Sequence, residues 1–122
     1  MNIGLWIAQV LTALAFGQHG YSMLFRVEQA QVRLAWTRVV SRPVLGFIGV
    51  VEILGATGVV VPAATGVLPS LTVAASGGLV AIMLLAIVFH VTRREWPNIG
   101  INVVLGALAF AVAYGRLVIE PF

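Results

Sequence analysis

Glu52 lies near the middle of an apolar stretch, residues 43–62, which has the length and composition of a membrane span. A carboxyl group at bilayer depth costs roughly 2.5 to 3.5 kcal/mol on insertion scales, so such groups usually face a bundle interior and mark a site. The structural alternative is a protonated glutamic acid that ties two helices together by hydrogen bonding. The sequence favours a site, and we predict Glu52 as a catalytic acid or base.

Two histidines could complement this carboxyl group, and they complete the predicted catalytic set. His19 lies toward the end of the first apolar stretch, and His90 ends the third. A carboxyl group with nearby imidazoles could transfer protons, hold a polar head group or bind a metal. The structural alternatives are a His19 that bonds a backbone carbonyl and a His90 at the membrane interface. The three residues lack the short ligand spacing of zinc sites, so no metal site is predicted.

Further polar or polarisable side chains recur at helical spacing along the apolar stretches, which gives each stretch one face suited to a partly polar interior. We predict that these side chains bind a substrate together with the catalytic set. They are Gln9, Thr12 and Gln18 in the first stretch, Met83 in the third, and Asn98 and Asn102 in the fourth.

The amino-acid composition indicates the class of protein in which these candidate site residues lie. Of the 122 residues, 61% are hydrophobic and only 9% are charged, against about 25% charged in soluble domains. This predicts a single integral membrane domain, residues 1–122. The basic balance, with a pI near 10.7, does not predict nucleic-acid binding, because the chain has no lysine and its arginines flank apolar stretches. The absence of cysteine excludes disulfides, thiolate metal sites and CxxC redox chemistry.

Four apolar segments approach the roughly 20 residues needed to cross about 30 Å of hydrocarbon. The predicted fold is therefore an all-α integral membrane protein, an antiparallel four-helix bundle. The predicted spans are residues 4–24, 43–62, 71–91 and 98–118.

The segment between the first and second spans, residues 26–41, is predicted to form an interfacial amphipathic helix. Its polar face would carry Arg26, Gln29, Arg33 and Thr37, and its apolar face Val32, Ala35, Trp36, Val39 and Val40. Six of the seven arginines fall in the first and third connections, and only Arg116 lies toward the other side. By the positive-inside rule, both termini are predicted to lie outside.

Four motifs in order carry a resemblance to a known family. They are residues 20–25 at the end of the first span, Gly49 to Gly58 with the following Pro62, Val88 to Glu95, and the fourth span from Asn102 to Arg116. In their order and spacing, these motifs resemble the DoxX-like family of small bacterial membrane proteins. The resemblance covers nearly the whole chain.

This resemblance implies a four-helix domain of the bacterial inner membrane, with a family name inherited from a subunit of a thiosulfate:quinone oxidoreductase. Glu52 and His90 match recurring polar positions of the family, as does the turn from Arg93 to Glu95. Met23 departs from the pattern, because relatives often carry a lysine there, so the ligand of this chain could differ. A quinone is the cofactor that the resemblance suggests, although the chain has no cysteine for a thiol relay.

Three functions remain open on the sequence. The favoured one is an oxidoreductase-associated protein that binds a quinone or another amphipathic small molecule within the bundle. The second is a membrane enzyme, an isomerase or hydrolase, that acts on an apolar substrate with Glu52 and a histidine. The third is an assembly factor for another membrane protein. The expected partners are the lipid bilayer, the small molecule, and a second copy or a partner membrane protein, with no nucleic acid.

Overall fold

The computed structural model describes residues 2–122, which are helical apart from short connections. Five α-helices follow one another: α1 (Asn2–Phe25), α2 (Val27–Arg33), α3 (Arg42–Thr65), α4 (Leu71–Thr92) and α5 (Trp96–Tyr114). A 3₁₀ turn, Ala35–Arg38, follows α2, and a π-helical turn, Gly115–Ile119, extends α5. The all-α prediction is confirmed.

Proline and glycine account for several helix ends. Pro43 and Pro97 lie in the first turns of α3 and α5. Proline is tolerated there because the backbone N–H that it lacks would have no acceptor within the helix. Gly66 ends α3 in a left-handed conformation, φ 74°, and its N–H donates to the Pro62 carbonyl over 3.0 Å. These local signals explain why α3 to α5 begin within two residues of the predicted spans.

Three helical stretches are long and apolar enough to cross a membrane: Arg42–Thr65, Leu71–Thr92 and Trp96–Ile119. Their outer surfaces are apolar, as Leu54, Leu85 and Val104 show by being 66%, 70% and 66% exposed. Helix α1, the predicted first span, has 24 residues but contains two glutamines and a histidine. Helix α1 is therefore not among the three candidate spans.

The four long helices contact one another in a ring. Helix α1 packs against α3 and α5, and α4 packs against the same two helices from the other side. A hydrophobic core fills the space between them. Its buried members are Phe16, Ala56, Val59, Leu79, Met83, Ala109 and Val112. A smaller cluster, Met23, Ala30 and Leu45, holds α2 against the ends of α1 and α3.

The connection between α1 and α3 differs from the single amphipathic helix that the sequence predicts. Leu34 is extended, with φ −117° and ψ 100°, and separates α2 from the 3₁₀ turn. Thr37, assigned to the polar face, is fully buried, and its hydroxyl donates to the Leu34 carbonyl over 2.6 Å. The break at Leu34 turns Thr37 inward, so residues 26–41 do not form one continuous amphipathic helix.

Candidate functional site

A cavity of about 560 Å³ lies between α3, α4 and α5, and its lining also includes His19 of α1 and the segment from Leu34 to Val40. Its wall is mainly aliphatic and aromatic. Five polar side chains interrupt that wall: His19, Glu52, His90, Asn98 and Asn102. A largely apolar cavity with a few convergent polar groups is the usual form of a small-molecule site.

Two of these polar side chains, His19 and Glu52, form a hydrogen bond with each other. The Nδ1 atom of His19 lies 2.6 Å from Oε1 of Glu52. Glu52 is buried, whereas the His19 side chain is 32% exposed. The imidazole is therefore the accessible member of the pair, and the carboxyl group orients it from behind, as in histidine sites that handle protons.

Helix packing makes this hydrogen bond geometrically feasible. Gly20 follows His19, Gly49 lies one turn before Glu52, and α1 and α3 cross where both lack a side chain. Small residues at a helix crossing allow the backbones to approach closely. The His19–Glu52 pair therefore depends on two glycines that can be read from the sequence. It also depends on the crossing of α1 and α3, which the sequence does not reveal.

A second histidine–carboxyl pair lies at the end of α4. Nδ1 of His90 is 2.7 Å from Oε1 of Glu95, and Nε of Arg93 is 3.2 Å from the same oxygen. The hydrogen bond from His90, together with the nearby Arg93, holds the pKa of the Glu95 carboxyl below its ordinary value. The turn is fixed by the backbone N–H of Glu95, which donates to the His90 carbonyl over 3.0 Å.

Trp36 lies between the two pairs. Its ring stacks on His19, with centroids 6.2 Å apart and an interplanar angle of 17°. It also meets His90 edge-on, with centroids 5.6 Å apart and an angle of 84°. Trp36 and Glu95 are the site residues that the sequence analysis missed. Only the turn-forming Arg93–Glu95 motif signals Glu95, and no sequence pattern signals the position of Trp36.

The structure brings together six of the nine predicted site residues around this cavity: Glu52, His19, His90, Met83, Asn98 and Asn102. Gln9, Thr12 and Gln18 lie outside it. Thr12 is buried and donates to the Ala8 carbonyl of its own helix over 2.7 Å, and Gln18 is exposed. Gln9 is buried, so helical spacing correctly predicts that it faces inward. The spacing does not predict that it lies away from the cavity.

Gln9 belongs to a separate buried network near the end of α5. Its Nε2 donates to the Val59 carbonyl over 2.8 Å, and its Oε1 accepts from Nε of Arg116 over 2.8 Å. Arg116 is only 4% exposed, and its guanidinium carbon lies 4.4 Å from the centre of the Phe122 ring. The arginine that the sequence places toward the outer side is thus turned into the protein, where it joins α1 to α5.

Comparison with known protein families confirms the resemblance to the DoxX-like family that the sequence motifs indicate. Residues 7–112 match the sequence model of the DoxX-like family. The chain belongs to the DoxX-like family. Together with three helices of spanning length, this makes it a membrane protein. The family match includes both histidine–carboxyl pairs and Trp36 and ends before Arg116. No curated protein and no solved structure gives a match.

Proposed function

We propose that this DoxX-like protein binds an amphipathic small molecule, with a quinone as the first candidate, in the cavity beside Glu52. The observation that carries the proposal is an apolar cavity of about 560 Å³ whose lining includes the hydrogen-bonded His19–Glu52 pair. An apolar ligand would bury its skeleton against the aliphatic wall, and a polar end would meet the imidazole. Redox chemistry, where it occurs, would come from a partner oxidoreductase.

The proposal includes a topology in which all four long helices cross the bacterial inner membrane and both termini lie outside. Six arginines lie in the connections α1–α3 and α4–α5 or at the first residue of α3: Arg26, Arg33, Arg38, Arg42, Arg93 and Arg94. Such an excess of arginine supports a cytoplasmic position for this end of the protein. The His90–Glu95 pair then lies at the cytoplasmic end, and the His19–Glu52 pair lies deeper.

A second candidate function is proton-transfer catalysis on an apolar substrate. The observation that favours it is the pairing of each histidine with its own carboxyl group, at 2.6 Å and 2.7 Å, on one cavity. A histidine oriented by a carboxyl group is a common general base and acid. Isomerisation and hydrolysis both need such a group, so an enzyme of either kind would use His19 with Glu52.

The test is to identify what the protein carries. Wild type, Glu52→Gln and a control, Glu28→Gln, are extracted in a mild detergent, and released small molecules are measured by absorption and mass spectrometry. Glu28 undergoes the same change of side chain, but it is exposed and pairs with Arg42 at 3.5 Å. We expect an amphipathic molecule in wild type and in Glu28→Gln, and its loss from Glu52→Gln.

The remaining outcomes separate the alternatives. A molecule that stays bound, or accumulates, in Glu52→Gln while its conversion stops would favour the enzyme over the binding protein. Three folded preparations that all carry nothing would contradict the binding proposal. They would favour a structural glutamic acid and the assembly role.

A further inference from the structure

Asn102 carries a buried hydrogen-bond donor that the protein does not satisfy. Its side chain lines the cavity from α5, and its Nδ2 atom is buried without a hydrogen-bond partner. Within residues 2–122 the only other buried side-chain atom in this condition is Nη2 of Arg116, whose guanidinium already makes two hydrogen bonds. The other buried polar side chains have partners, including Gln9, Thr12, Glu52, Ser76 and His90.

The protein gives this Asn102 donor no partner, although Asn98 lines the same cavity one turn earlier on α5. Ile101 and Leu105 precede and follow Asn102 in the cavity lining, and Met83 of α4 lines the same cavity. A buried donor without a partner costs about 1–3 kcal/mol. Native proteins satisfy almost all such groups. Because the side chain of Asn102 lines the cavity, a rotation of its amide would bring Nδ2 to a ligand atom there.

We propose that the amide of Asn102 donates a hydrogen bond to a carbonyl oxygen of the molecule bound in the cavity. The inference rests on the proposed function and narrows its ligand to an apolar molecule that bears a ketone, quinone or ester oxygen. An amide NH₂ is a donor only, so a head group that offers only donors would leave it unpaired. Asn102 is then the residue that determines ligand class, while His19 and Glu52 meet a second polar group.

The experiment uses two probes of matched shape, 2-acetylnaphthalene and 2-ethylnaphthalene, which differ by one carbonyl oxygen. Binding of each is measured by calorimetry on protein in lipid nanodiscs, with empty nanodiscs subtracted. The variants are Asn102→Leu, which keeps the side-chain size and removes the amide, and Asn2→Leu as control. Asn2 undergoes the same change at an exposed position in the first turn of α1, outside the cavity.

We expect wild type and Asn2→Leu to prefer the ketone over the hydrocarbon by about tenfold, and Asn102→Leu to lose that preference while still binding the hydrocarbon. The thermal stability of ligand-free Asn102→Leu should equal or exceed that of wild type, because the variant no longer buries an unpaired donor. If Asn102→Leu does not fold, Asn102→Ala makes the same comparison.

Two results would overturn the inference, and they are distinguishable. If wild type binds both probes equally and Asn102→Leu changes nothing, Asn102 has no role in ligand class, and the proposed function stands. If neither probe enters wild type, while the detergent extract also carries no amphipathic molecule, the inference and the proposed function both fail.

Discussion

Gly20 and Gly49 meet backbone to backbone, so closely that a Cβ atom added to either glycine would lie 2.8 Å from the carbonyl oxygen of the other. This contact sets the distance between α1 and α3. A Cβ atom at Gly20 would also lie 3.1 Å from Cβ of Glu52. The crossing of two helices at this glycine pair and the His19–Glu52 hydrogen bond are therefore parts of one geometry.

Replacing Gly20 by alanine should separate these helices. The added methyl group has backbone against it, which cannot move as a flexible side chain can, so we expect a loss of about 1–3 kcal/mol in the free energy of unfolding. Gly78→Ala is the control, because nothing lies within 4 Å of a Cβ atom there and alanine favours a helix over glycine. Unfolding in mixed micelles measures both. Equal stability of the two variants would contradict the close approach.

The His19–Glu52 hydrogen bond should appear as an energetic coupling between the two side chains. A double-mutant cycle with His19→Gln and Glu52→Gln should give about 1–3 kcal/mol, because the bond is short and Glu52 is buried. The exposed pair of Glu28 and Arg42 provides a control cycle, for which we expect less than about 1 kcal/mol. Additive effects of the two substitutions at 19 and 52 would show that the pair does not form.

Glu95 should make stability depend on acid pH. The pKa of its carboxyl group is lowered in the folded protein, chiefly by the hydrogen bond from His90 and also by Arg93. A lowered folded-state pKa gives stability that is fully present above the ordinary glutamate pKa of about 4.3 and is lost as pH falls through the lower folded value.

The check is a comparison of wild type with Glu95→Gln across pH. The variant has no carboxyl group at this position to titrate. We expect the stability difference between them to shrink as pH falls from about 5 to about 3. A difference that stays constant through this range, or that grows in acid, would show that the carboxylate is not stabilised by His90 and Arg93.

The buried network at the other end of the protein should respond to the loss of one partner. Gln9→Leu leaves the Val59 carbonyl and Nε of Arg116 without this side chain, so we expect a loss of about 1–3 kcal/mol in the free energy of unfolding. Gln18→Leu, the same change at an exposed position of the same helix, should cost little. Adding Arg116→Met to Gln9→Leu should cost less than the sum of the single effects, since it removes the Nε donor that Gln9→Leu leaves unpaired. Full additivity would contradict the network.

The sequence by itself determined the class of the protein and, to within two residues, where α3, α4 and α5 begin. Membrane residence follows from composition, because a chain with 9% charged residues has little polar surface to offer water. The helix ends follow from local signals such as Pro43, Pro97 and Gly66. A polar group such as Glu52 in an apolar helix already indicates an inward face, since lipid cannot satisfy it.

Only the tertiary structure decided which inward groups meet. Helical spacing gives the face of one helix and carries no information on the rotation of its neighbours. Gln9 therefore meets Arg116, 107 positions away, and does not reach the cavity. His90 pairs with Glu95 because α4 ends in a tight turn, and Trp36 reaches both histidines because the helix after α1 breaks at Leu34. The contacts of Gln9 and Trp36 depend on packing between distant segments, which a pattern within one segment does not specify, whereas the His90–Glu95 pair depends on the local turn after α4.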